Sequence, residues 1–254
     1  MQKFLANSES LFSGSVPNNF PNSVGGRRGF TLVEFLVVIA VVAILAALLF
    51  PVIKSMEDSS RGAVCMSNLR QVGIGLHLYA SENKNSFPKM YNVATGKLWN
   101  EMLVDGGYLP DANKVGQHSV LLCPSQTPKK WKEPSYTYGM RVPPAPATMW
   151  NGDWWQYRMT GGNIGDINNQ QYGPGSQFMM VGDSVYIGGG PAENQQFYYF
   201  QTNSNVLHVA HLRHKNHGNF LFGDGHVAAL DTAALLDDPV NPTLPSQIST
   251  ASPQ

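Results

Sequence analysis

The 254-residue chain has two cysteines, Cys65 and Cys123, and only 13% charged residues. No pair of CxxC motifs is present, so a zinc ribbon of the usual spacing is excluded. The 17 basic and 17 acidic residues cancel and form no concentrated basic patch, which argues against nucleic-acid binding. There is no Walker loop and no Gly-x-Gly-x-x-Gly after a strand. Ser184, His214 and Asp224 can be written as a hydrolase triad, but no Gly-x-Ser-x-Gly elbow surrounds the serine. Catalysis is not needed to explain the chain. With 25 glycines and 17 prolines, the part beyond the first fifty residues reads as one loop-rich domain, not a helical bundle.

What is abundant is apolar sequence near the N-terminus. Residues 29–50 read GFTLVEFLVVIAVVAILAALLF, with Glu34 as the only ionisable side chain. The run matches the ~20 residues needed to cross a bilayer core. Arg27 and Arg28 precede it, which places the N-terminal side in the cytoplasm and everything after Ile53 outside. A carboxylate buried in hydrocarbon costs about 2.5–3.5 kcal/mol on insertion scales, so Glu34 requires a partner unless it lies shallowly among headgroups. Pro51 removes a backbone donor and predicts a kink or local melting.

The segment Arg28-Gly29-Phe30-Thr31-Leu32-Val33-Glu34 resembles the processing site of type IV prepilins and type II secretion pseudopilins. The resemblance implies cleavage by a prepilin peptidase between Gly29 and Phe30 and methylation of the new Phe30 terminus. It also implies that Glu34 neutralises the terminal ammonium of a neighbouring subunit, turning two costly charges into an ion pair. Residues 1–29 are then a leader, excluded from fold reasoning. Residues 65–79, the Cys123-Pro124 pair, and His214 followed ten residues later by Asp224-Gly225 are similar to a pseudopilin-like subfamily that ends in His-x9-Asp-Gly.

Residues 30–53 are expected to be transmembrane. Cys65, Leu69, Val72, Leu76 and Tyr79 recur at helical spacing and predict an amphipathic continuation over 54–83, stopped by Asn83, Asn85 and Pro88. Gly62, Gly73 and Gly75 each weaken a helix by about 1 kcal/mol, so packing must hold it, or the glycines admit close approach. Residues 84–237 are expected to form a pilin-like head, and 238–254 a flexible tail. The fold class is α+β, a long N-terminal helix on an antiparallel sheet with long loops. Residues 178–184 read as a buried strand ending in a polar turn. Residues 219–230 read as a hairpin with a type I′ turn at Asp224-Gly225. The loops around Pro143, Trp150, Trp154 and Trp155 carry aromatics that either plug small cores or bind a glycan or partner.

Both cysteines fall outside the membrane, where a Cys65–Cys123 disulfide is the default and two buried thiols the alternative. A two-cysteine metal site is disfavoured because neither has a second cysteine nearby. His208, His211, His214 and His217 repeat every three residues, a pattern that on a helix invites zinc, with Asp224 or His226 completing the shell. On a strand that spacing alternates faces, and His214 instead orders its loop near Asp183 or Asp224. Some major pseudopilins hold calcium in a C-terminal loop, but no run of carboxylates forms a hard-cation cage here. No cofactor is expected.

The reading is a non-enzymatic, single-pass subunit of a type II secretion or type IV pilus-like assembly in the inner membrane, its head periplasmic or extracellular. Its partners are prepilin peptidase and other pilin-like subunits. The alternative is a bilayer-anchored periplasmic or surface binding protein that does not polymerise, with the His-rich loop as an optional metal site.

Overall fold

The computed structural model describes residues 29–142, 156–166, 170–201, 207–237 and 248–249. The chain divides into two units, one ending at Leu49 and the other beginning at Phe50. The described part of the first unit is helical from Leu32 onward, and its apolar side chains, from Phe30 to Leu49, are exposed. This helix, α1 (Leu32–Glu82), is continuous through Pro51, so the expected local melting does not occur. It is long and apolar enough to cross a membrane.

In the second unit, α1 buries Cys65, Leu69, Val72, Leu76 and Ala80. This is the stripe expected from sequence, with Ala80 buried and Tyr79 packed at its edge. The glycines on this face serve close approach: a Cβ on Gly73 would stand 2.8 Å from Leu221 Cδ1. The helix ends where Lys84 and Asn85 turn the chain with positive φ.

The head carries β1 (Tyr91–Asn92), β2 (Lys97–Leu98), α2 (Trp99–Asp105), β3 (Gly139–Val142), β4 (Tyr157–Thr160), β5 (Asn163–Asp166) and β6 (Gln171–Pro174). It continues through β7 (Met179–Gly182), β8 (Ser184–Tyr186), β9 (Tyr199–Gln201), β10 (His208–His211), β11 (Gly218–Phe222), β12 (Val227–Leu230), α3 (Thr232–Leu236) and β13 (Ile248–Ser249). The main sheet runs β12-β11-β7-β3-β9, antiparallel except for the parallel β3–β9 pair. Smaller sheets are β13-β10-β8, β4-β5-β6 and β1-β2.

Strand β11 is buried throughout because both its faces are covered. Leu221 joins the cluster containing the helix stripe, while Phe220 and Phe222 join a second cluster with Phe200, Leu212 and Leu235. A strand covered on both sides reads as a continuous apolar run, which is what residues 220–222 show. The buried strand expected at 178–184 is β7, followed by the polar residue Asp183. Within the expected tail, Ile248–Ser249 pair in parallel with β10; residues 238–247 and 250–254 lie outside the described residues. So do Pro143, Trp150, Trp154 and Trp155, with the glycan or partner reading attached to them.

The hairpin at 219–230 is present, but its turn differs from expectation. Only Gly225 has positive φ, +94°, and Gly225 N donates to Phe222 O while Phe222 N donates to His226 O. This is a three-residue loop with glycine at the left-handed position, not a type I′ turn. The type I′ geometry falls instead at Lys215-Asn216, with φ of 52° and 65°, where His214 and His217 exchange backbone hydrogen bonds.

Candidate functional site: the apolar N-terminal helix and a buried Cys-Cys-Asp-His cluster

At the start of α1, Thr31 and Glu34 form a reciprocal cap. Glu34 Oε2 accepts from Thr31 N at 2.9 Å and from Thr31 Oγ1 at 2.8 Å, and Glu34 N donates to Thr31 Oγ1 at 3.2 Å. The spacing Thr-x-x-Glu is that of a capping box, which satisfies helix N–H groups that would otherwise lack partners. Gly29 and Phe30 precede the helix in exposed chain.

The second site is in the head and comes from four separate segments. Cys65 lies on α1, Cys123 on the long connection from α2 to β3, Asp183 at the step from β7 to β8, and His214 in the turn after β10. Their ligand-capable atoms all lie within 4.8 Å of one another. Cys123 Sγ is 3.2 Å from His214 Nε2. His214 Nε2 is 3.3 Å from Asp183 Oδ2. Cys65 Sγ stands 3.6 Å and 3.8 Å from the two Asp183 carboxylate oxygens. Among side chains, Asp183 is fully buried and His214 is 8% exposed.

Each member is held from behind. Asp183 sits where the chain passes from the main sheet to the β8 sheet. Its backbone N donates to Asn219 O, its carbonyl accepts from His211 N, and Oδ2 accepts from Asn219 N at 2.9 Å. Arg213, also fully buried, places NH1 3.6 Å from Asp183 Oδ1. Tyr138 OH lies 3.3 Å from Cys65 Sγ. Gln196 braces the Cys123 backbone at both N and O. Ser125 Oγ lies 3.4 Å from His214 Nδ1, which leaves Nε2 for the cluster. Gly62 of α1 faces the His214 ring, where a Cβ would stand at ordinary contact distance, 3.4 Å from Nδ1.

The electrostatics follow from this crowding. Burial opposes the Asp183 charge, but Arg213, His214 and the Asn219 amide outweigh it and hold the carboxyl well below its ordinary range. Burial also opposes the His214 charge, yet Asp183 and Cys123 raise its pKa to about 10. Cys65 is pushed up by burial and by Cys123. For Cys123, hydrogen bonds from Cys65 and His214 and the Arg213 charge overcome burial and lower the thiol to about 6. These shifts favour a Cys123 thiolate beside a His214 imidazolium, with Cys65 the sulfur that keeps its proton.

The expected disulfide is not formed: both cysteines are free thiols. The fold brings their sulfurs close but turns them toward Asp183 and His214. The histidine row also separates. His208 is stacked on Phe197 with ring centroids 4.1 Å apart, and burial lowers its pKa to about 4. His211 accepts at Nδ1 from Arg213 Nε, His217 is exposed beyond the tight turn, and His226 stacks on Phe222. Of the six metal candidates His208, His211, His214, His217, Asp224 and His226, His214 alone joins the cluster. The reason is the strand at β10 followed by a reversal, which a helical reading of the three-residue period does not anticipate.

Asp224 accepts from His226 N at 3.1 Å, and Gly225 lies against His77 of α1. His214 and Asp224 are thus parts of different sites. Ser184 Oγ donates to Phe197 O, so the triad Ser184-His214-Asp224 is not assembled. Of the two acids expected near His214, Asp183 is its neighbour and Asp224 is not, while Cys65 and Cys123 as its companions and Arg213 as the counter-charge were not foreseen from sequence. The available signal was that Cys65, Cys123 and His214 all stand within the marks of one resemblance.

These features define a class: an α+β head on a long helix whose apolar half suits a single-pass membrane anchor. The family model for the prokaryotic N-terminal methylation motif matches residues 25–50, which makes the chain prepilin-like at its N-terminus. It is 34% identical over 57 residues to the type II secretion system core protein G of Pseudomonas aeruginosa, a match covering 22% of this chain. The match spans 40% of that relative, well under two thirds of its length. No solved structure matches the chain.

Proposed function

We propose that this chain is a non-enzymatic, membrane-inserted pseudopilin-like subunit, processed after Gly29 and assembled with other pilin-like subunits of a type II secretion or type IV pilus-like system. The observation that carries this reading is the methylation motif over residues 25–50, set on a helix whose first turns, residues 32–50, expose apolar side chains and have Glu34 as their one ionisable residue. The head lies on the outer side of the inner membrane, in keeping with Arg27 and Arg28 before the span. Similarity to a secretion core protein supports a structural role over catalysis.

A specific observation favours a second reading, a bilayer-anchored protein that does not polymerise. Glu34 already has partners in its own chain, through Thr31. Glu34→Gln separates the two, because glutamine keeps the capping box and removes the charge. The subunit reading expects normal insertion and cleavage with loss of assembly; assembly at the wild-type level would refute it. Mass spectrometry of the mature terminus should find methylated Phe30, and an uncut leader in a host with prepilin peptidase would count against processing.

A further inference from the structure

We propose that Cys65, Cys123, Asp183 and His214 form a closed, four-ligand site for a zinc-class divalent cation that fastens α1 to the head. The inference is independent of whether the chain polymerises.

The separations carry the argument. A tetrahedral shell with arms of about 2.0–2.3 Å has edges of roughly 3.3–3.8 Å. The cluster shows 3.2 Å from sulfur to nitrogen, 3.3 Å from nitrogen to oxygen, and 3.6 Å and 3.8 Å from sulfur to oxygen. Three of the six edges of such a shell therefore already have the right length, and all four donors lie within 4.8 Å of one another. Two thiolates, one imidazole and one carboxylate are a borderline-soft set that suits zinc better than calcium or magnesium.

Charge closes as well. A dication with two thiolates and a carboxylate leaves one negative charge, and Arg213, buried beside Asp183, cancels it. Binding releases the proton on Cys65 and the one shared by Cys123 and His214 to solvent. The residues behind the ligands match what metal sites need: Ser125 on the far nitrogen of His214, Asn219 N on Asp183, and Tyr138 OH on Cys65. Burial of all three non-histidine ligands leaves no open position for a substrate, so the role is structural. The cation links the helix, the Cys123 loop, the β7–β8 step and the His214 turn, which lie far apart in sequence.

The test uses the full chain in detergent. Protein isolated without added metal or reductant should carry one equivalent of zinc by elemental analysis; metal-free protein with Cys65 and Cys123 joined in a disulfide overturns the proposal. Anaerobic titration of the stripped, reduced chain with Co2+ should saturate at one equivalent, with thiolate-to-cobalt charge transfer and intense tetrahedral d–d bands that Zn2+ displaces. Cys123→Ser should lower the charge-transfer band, and His217→Ala, outside the shell, should leave it unchanged. Absence of these bands in the wild-type chain, or their persistence unchanged in Cys123→Ser, overturns the site without bearing on Glu34.

Discussion

His214 Nε2 meets Cys123 Sγ at 3.2 Å across 91 residues of chain. The contact joins a tight turn to a long loop, with Asp183 beside it and Cys65 of the helix on the other side. Four segments that share little secondary structure are tied at one buried point, and the stability of the head should depend on it.

Asp183 is the member whose loss should cost most. Asp183→Asn removes the carboxylate paired with Arg213 and leaves the guanidinium in a fully buried position with a weaker counter-charge. Breaking one side of a buried ion pair costs about 3–5 kcal/mol. Denaturant unfolding of the full chain in detergent should show a loss of that order, and a change below about 1 kcal/mol would contradict the buried pairing.

Gly225 should matter for conformation, not chemistry. Its φ of +94° closes the β11–β12 loop, and a Cβ there would meet His77 only at ordinary contact distance, so the strain of a side chain lies in the backbone. Gly225→Ala should destabilise by about 1–2 kcal/mol, the cost of left-handed backbone for an L-residue. Asp224→Asn keeps the acceptor for His226 N and should cost clearly less. A larger effect from Asp224→Asn would point to a role beyond the turn.

His208 should make stability fall with acid. Burial among Phe197, Tyr186 and Tyr199 lowers its folded pKa to about 4, below the usual 6.5. The unfolded chain therefore takes up the proton first, so the contribution is complete above pH 6.5, is lost as pH falls toward 4, and is flat below. After allowance for its partial exposure the loss is roughly 1–2 kcal/mol. His208→Phe should flatten that part of the pH–stability profile relative to wild type, and an unchanged profile would show that the ring is not held neutral.

Much of the architecture was legible because it is written at short range. The apolar run, the stripe Cys65-Leu69-Val72-Leu76 and the apolar β11 each reflect a local period matched to a local environment. Turn chemistry was harder. Asp224-Gly225 suggested a type I′ turn, yet Lys215-Asn216 adopts that geometry without glycine, because the pairing of His214 with His217 imposes it. The histidine row misled for a related reason: a spacing of three has one meaning on a helix and another on a strand ending in a reversal.

Sequence by itself determined the membrane-suited helix, its lone acid and the motif before it, since composition and spacing over some thirty residues suffice to specify them. Tertiary structure alone decided that Cys65, Cys123, Asp183 and His214 share one buried point with Arg213 beside them. No local period encodes that meeting; it follows from how the helix, the sheet step and two loops pack around a common core.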